Sequence, residues 1–140
     1  MTGPVAGAGV VCLRGAEVLL IRRGKPPREG EWSLPGGRIE WGERALDAAL
    51  RELAEETGVE AEPLGLLDVV DGLFRSADGA LQSHYLLVDY AVRWRAGEPV
   101  GGDDALEARF WPADEAGALV QWSETQRIIR LAMNRFGPGA

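Results

Sequence analysis

Apolar positions along this chain follow two periods, and each period marks out its own elements. Residues 10–13 and 18–21 are β-rich runs, and Arg14-Gly15-Ala16-Glu17 between them predicts a hairpin. Residues 64–74 and 81–94 read as two long strands joined at Ser76-Ala77-Asp78-Gly79, where Asp-Gly sits between apolar runs. A shorter strand is expected through residues 108–111, ended by Pro112, with a short helical turn at residues 114–119. Helical spacing governs residues 44–57, where Leu46, Leu50 and Leu53 cluster on the side expected to pack on a sheet. It returns after Ser123-Glu124-Thr125-Gln126, which resembles a capping box opening a last helix to residue 136. Ile128, Ile129, Leu131, Ala132 and Met133 supply that helix's apolar side.

The connections are distinctive too. Residues 22–31 form a loop carrying Arg22, Arg23, Lys25 and Arg28, stiffened by Pro26-Pro27. Residues 97–104 are glycine-rich and acidic, and residues 1–4 and 137–140 are expected to be loose. There is no internal repeat, low-complexity tract or linker, so residues 1–140 read as one domain. Strands before and after a central helix, with a second helix at the end, predict an α/β protein in a compact α/β/α arrangement.

The central helix carries the chemistry. At roughly 100° per residue, Glu52, Glu55 and Glu56 fall on one side of it, where like charges three and four apart repel. Ala45 and Ala48 are expected on the same side one to two turns earlier, leaving it free of bulk. Arg51 borders the carboxylates, and Gly58 is placed to end the helix in the left-handed conformation. An acidic helix face is ordinarily solvated and salt-bridged. This one follows the glycine turn Gly36-Gly37, and its hard oxygen donors suit Mg²⁺ or Mn²⁺.

Composition narrows the partners. A chain of 140 residues with 46% hydrophobic and 26% charged residues is globular and long enough for a core. A net charge of −7 argues against a nucleic-acid polymer, which needs a basic footprint, yet leaves a small phosphorylated substrate open once a cation is bound. Cys12 is the single cysteine, so it reads as a small buried residue. No run reaches the roughly 20 apolar residues of a membrane helix, and residues 5–13 lack a signal-peptide pattern, so the expected compartment is cytoplasmic.

Gly37-Arg38-Ile39-Glu40-Trp41-Gly42-Glu43, followed by Arg51-Glu52-Leu53-Ala54-Glu55-Glu56-Thr57-Gly58-Val59, resembles the signature of the Nudix hydrolases at every specified position. The resemblance implies a mixed sheet sandwiched by helices, the signature forming loop-helix-loop, and divalent-metal-dependent hydrolysis of nucleotide-type pyrophosphates. It implies that Glu52, Glu55 and Glu56 bind Mg²⁺, with Mn²⁺ as an alternative, helped by the Gly36 carbonyl. Glu43 and Arg51 match a structural pair fixing the loop against the helix, and Gly37 lets the chain turn tightly at the site. The general base stays open: Glu52 is the candidate inside the signature, and Asp103, Asp104 or Glu107 could serve as base or further ligand. A Gly-Asp loop is also commonly just a turn.

Arg22, Arg23 and Arg28 are candidates for holding phosphates, although charged loop residues are ordinarily solvated. His84, the only histidine, is a further candidate whose plainer role is a hydrogen-bonded residue of a strand. Trp32, Phe74 and Tyr85 could stack a base, while aromatics in strands usually build core. Among substrates, the resemblance favours ADP-ribose or a related ADP-sugar, cleaved to AMP and a sugar phosphate. A nucleoside triphosphate, oxidised or not, cleaved to monophosphate and pyrophosphate, is the second reading. A non-catalytic nucleotide-sensing module is a third, although the signature is undamaged. Homodimerisation is left open by the family and unmarked by any patch in the sequence.

Overall fold

The computed structural model describes residues 3–26 and 28–140; the expectations placed on Met1, Thr2 and Pro27 lie outside them. β1 (Val5–Arg14) and β2 (Glu17–Arg23) form the expected hairpin, closed at Gly15, whose φ of 59° suits a residue without a Cβ. β3 (Trp32–Ser33) pairs with β2, and β4 (Gly36–Arg38) pairs antiparallel with β1. α1 (Ala45–Thr57) follows, then β5 (Glu60–Arg75) and β6 (Leu81–Ala96), a long hairpin turning through Asp78-Gly79. β7 (Ala105–Pro112) returns to β2, and α2 (Ala113–Leu119) and α3 (Ser123–Phe136) complete the chain. β1 runs parallel to β6 and antiparallel to its other partners, so the sheet is mixed, with the main order β3-β2-β1-β6-β5.

β1 lies at the centre because its run Val10 to Leu13 is apolar without alternation, the pattern of a strand buried on both faces. Val11 and Leu13 point into one core with Val18, Leu20, Ile128, Ile129 and Ala132, beneath α2 and α3. Ala8, Val10 and Cys12 point the other way, into a core with Leu19, Ala48, Ala49 and Leu53 beneath α1. This is the α/β/α sandwich that the element order predicts. Cys12 is wholly buried, and that burial pushes its thiol up to about 12, which leaves it unreactive. No helix among the described residues is long and apolar enough to cross a membrane.

Three expectations need correcting. The strands β5 and β6 extend beyond the apolar runs, because residues such as Glu60, Glu62 and Ala96 remain in the ladder while bulges interrupt its alternation. The capping box does not form: Trp122 is the N-cap of α3, and no side chain caps it. Glu124 instead accepts from Arg127 Nε at 2.6 Å, and the Gln126 amide donates to the Val120 carbonyl at 3.1 Å. Ala48 is not on an open carboxylate side but wholly buried against the sheet with Ala49 and Leu53. The two small residues let the helix approach closely, and the buried ridge they start ends at Glu56 and Thr57.

Substituting Ala48→Leu should therefore lower the unfolding free energy by about 1–3 kcal/mol in a urea titration, the cost of overpacking. Ala45→Leu, on a half-buried position outside the core clusters, should change it by less than about 0.5 kcal/mol. Equal small effects would contradict the placement of Ala48.

Candidate metal and catalytic site

The site begins where β4 meets β1. Gly36 lies opposite Gly9 and Gly37 opposite Ala8, and a Cβ on Gly36 would collide with the Ala8 carbonyl. Gly37 matters for a second reason: a Cβ there would sit 2.5 Å from the carboxyl carbon of Glu52. The absent side chain is the space that the Glu52 carboxylate fills.

From α1, Glu56 turns inward and is only 5% exposed. The Gly36 N–H donates to its Oε1 at 2.8 Å, fastening the turn to the helix. Burial raises the Glu56 carboxyl to about 8, with the Gly36 bond opposing, Glu52 and Asp103 adding to the rise, and Arg23 drawing it down. Glu52 is raised as well, by burial first and against the pull of Arg51.

Arg51 holds the remaining carboxylates. Its Nε and Nη2 donate to the two oxygens of Glu43 at 2.7 and 3.0 Å, a two-pronged pairing. Nη1 donates to Glu52 at 2.9 Å and to Glu55 at 3.1 Å, while Nη2 also reaches the Arg38 carbonyl at 3.0 Å. Glu43 is held below the usual carboxylate range by Arg51, and the guanidinium is held firmly charged by Glu43 first. The sequence's Glu43–Arg51 pair is thus a brace between loop and helix.

A second segment reaches the site from the far side. The end of α1 leaves carbonyls without helical partners. Gly58, with φ of 72°, satisfies Ala54; the loop after β6 satisfies two more, Gly102 N–H donating to Glu56 at 2.9 Å and Val100 N–H to Thr57 at 3.0 Å. A Cβ on Gly102 would stand 2.8 Å from the Glu55 carbonyl, so a glycine is needed for that approach. The next residue, Asp103, adopts φ of 51°, which turns it towards the glutamates. One oxygen from each of Glu52, Glu55 and Asp103 then lies within 4.8 Å of the other two. An all-oxygen donor set of this kind fits a hard divalent cation, and Glu56 and the Gly36 turn adjoin it.

The other candidates separate. Asp104 points to Lys25, with Oδ1 to Nζ at 2.7 Å, and Glu107 is engaged by Arg22 Nε at 2.6 Å. Only Asp103 of the three joins the glutamates. Arg22 is accordingly committed to β7, whereas Arg23 acts electrostatically on Glu56. Arg28 lies over the Phe74 ring at 5.1 Å, and His84 lines a surface groove with Arg38 and Tyr85 outside the carboxylate group. The aromatics pack on one another: Trp32 on Trp111 with ring centroids at 5.3 Å, and Phe74 on Trp122 at 5.2 Å and Tyr85 at 6.4 Å.

One residue escaped the sequence reading. Asp89 sits in the apolar run of β6, 6% exposed, and its Oδ1 occupies the place of a Cβ on the facing Gly9. Burial raises it to about 6, with Arg127 opposing and Asp68 and Glu124 adding to the rise. A lone acid among Leu87, Val88, Tyr90 and Ala91 was the available signal.

With this geometry in place, the comparisons with known proteins are direct. The model of the NUDIX domain family matches residues 3–132. The chain is 33% identical to an ADP-ribose pyrophosphatase of Methanocaldococcus jannaschii over 91% of this chain and 72% of that protein. It is 38% identical to a putative 8-oxo-dGTP diphosphatase 2 of Mycobacterium tuberculosis, over 100% of this chain and 96% of that one. A crystal structure of a MutT NUDIX hydrolase from Burkholderia pseudomallei superposes with a TM-score of 0.77 at 28% identity, covering 93% of this chain and 98% of its own. The NUDIX domain of Shewanella oneidensis NrtR, solved with ADP ribose, shares the fold at 24% identity and a TM-score of 0.77, over 96% and 90% of the two chains.

Asp89 supplies a pH test. Its unfolded carboxyl ionises near pH 4, before the folded one, so between about pH 4 and 6 the folded state binds more protons and loses stability as pH rises. The stability of Asp89→Asn relative to the natural chain should therefore grow across that window, by on the order of 2–3 kcal/mol, and level off above it. Chemical denaturation at a series of pH values measures it; a difference that shrinks as pH rises would contradict the buried placement.

Proposed function

This chain belongs to the NUDIX family of hydrolases acting on nucleotide pyrophosphate bonds, and from that premise we propose a metal-dependent cleavage of a nucleoside diphosphate linked to another group. The substrate class is ADP-ribose or a related ADP-sugar, split to AMP and a sugar phosphate. The observation that carries the reading is the meeting of Glu52, Glu55 and Asp103 from two separate elements beside the glycine turn. We also assign residues 1–140 to one domain, since both cores share β1.

Attack by water on an anionic diphosphate is slow because charge repels charge. Bound Mg²⁺ or Mn²⁺ would supply Lewis-acid neutralisation of the phosphate oxygens. Glu52, Glu55 and Glu56 would hold the ions, with the Gly36 carbonyl as a further oxygen donor from the turn whose N–H already binds Glu56. Arg51 orients Glu52 and Glu55 by its Nη1 bonds, a positioning role. Asp103 enters from the opposite loop as the further ligand or as the base that accepts a proton from the attacking water. Arg23 brings positive charge to the Glu56 side, where an anionic substrate would lie.

The ADP-ribose reading draws support from the M. jannaschii relative. A second reading, an oxidised or ordinary nucleoside triphosphate cleaved to monophosphate and pyrophosphate, draws support from the M. tuberculosis relative, which aligns over 96% of its length. Chromatography of products from ADP-ribose and 8-oxo-dGTP with saturating Mg²⁺ separates them: AMP from the first at the higher kcat/KM is expected. Glu56→Gln should lower kcat/KM by about 100-fold or more, and Asp103→Asn by a similar factor, with folding intact by circular dichroism. Unchanged turnover in Glu56→Gln would overturn the metal assignment. Tight nucleotide binding with no product from any substrate would favour a sensing module.

A further inference from the structure

The β5–β6 hairpin is covered on one face only. Leu67, Val70 and Leu87 belong to the core beneath α2 and α3. On the opposite face, the hairpin continues past the core of α1 as rows of paired residues: Val69 beside Val88, Asp71 beside Leu86, Leu73 beside His84. Five of the eight exposed large hydrophobic residues among those described, Leu66, Val69, Leu73, Leu81 and Leu86, stand on these two strands, each 40–49% exposed. Single exposed apolar residues are ordinary, but this concentration along one sheet face is the mark of an interface. β5 is also the last strand of the sheet, with no further strand beside it among the described residues.

The charges on that face indicate what covers it. Asp71 and Arg75 flank Leu73 at two residues on either side, and alternation puts all three on the same exposed side of β5. Asp71 makes no ion pair within its own chain among the described residues, and Arg75 uses one nitrogen on the Gly79 carbonyl at 3.1 Å. An isologous interface must be its own complement. A twofold axis crossing the strand at Leu73 meets that demand, because it lays each Asp71 against the other copy's Arg75 and packs Leu73 on its counterpart.

We propose that this face is the interface of a homodimer, two copies stacking the uncovered β5–β6 faces about a twofold axis at Leu73. The apolar stripe supplies the buried area, and the reciprocal Asp71–Arg75 pairs fix the register. The interface lies outside the carboxylate site and stands independently of the substrate assignment.

Sedimentation equilibrium of the full chain over the micromolar range tests it. The natural chain should sediment at twice its 15.1 kDa mass. Leu73→Glu, which sets two carboxylates at the axis, should give monomer. Asp71→Arg and Arg75→Asp each act twice per dimer and should each raise the dissociation constant about tenfold, while the double variant Asp71→Arg/Arg75→Asp should restore it. Retained hydrolysis and circular dichroism in every variant separate lost association from lost folding. A monomeric natural chain, or a dimer indifferent to Leu73→Glu, overturns the interface. Single variants that weaken the dimer without rescue by the double variant overturn the register.

Discussion

Carboxylates do not gather on a helix without something positive to hold them, and in this chain that holder is Arg51. One guanidinium grips both oxygens of Glu43, one oxygen each of Glu52 and Glu55, and the Arg38 carbonyl. It joins the loop before α1 to the helix and sets two of the acidic side chains. Yet one cation cannot balance Glu43, Glu52, Glu55, Glu56 and Asp103 together. Burial first, and the neighbouring Glu52 and Asp103 after it, raise the Glu56 carboxyl to about 8 against the pull of the Gly36 N–H and Arg23. A bound divalent ion is the simplest relief, which ties the family's chemistry to the local physics.

Backbone economy does the rest. The free carbonyls at the end of α1 need donors, and the loop of residues 97–104 provides two of them, so satisfying the helix end also delivers Asp103. Glycines at positions 36, 37 and 102 stand where side chains would collide with backbone or with Glu52. The same residues that shape the turn therefore shape the site.

Much of this was legible in the sequence, for definite reasons. Both hairpins announce themselves by Gly15 and by Asp78-Gly79, where backbone geometry restricts the residue type. The helix of the signature is bounded by Gly58 and organised by its carboxylates. What could not be read depends on partners distant in sequence. Ser123 looks like a cap until Gln126 finds the Val120 carbonyl and Glu124 finds Arg127. Ala48 looks open until the sheet is placed against it. Asp103, Asp104 and Glu107 are equivalent on paper, and only the left-handed turn at Asp103, with Lys25 and Arg22 claiming the other two, tells them apart. Asp89 is hidden because its environment is set by Gly9 across a parallel ladder.

The most direct measurement is the position of a bound ion. Crystals grown with saturating Mn²⁺, with anomalous scattering recorded at the manganese edge, should show a peak coordinated by the carboxylates of Glu52, Glu55 or Glu56. A peak bound elsewhere on the surface, or none beside these side chains while they keep their arrangement, would contradict the account.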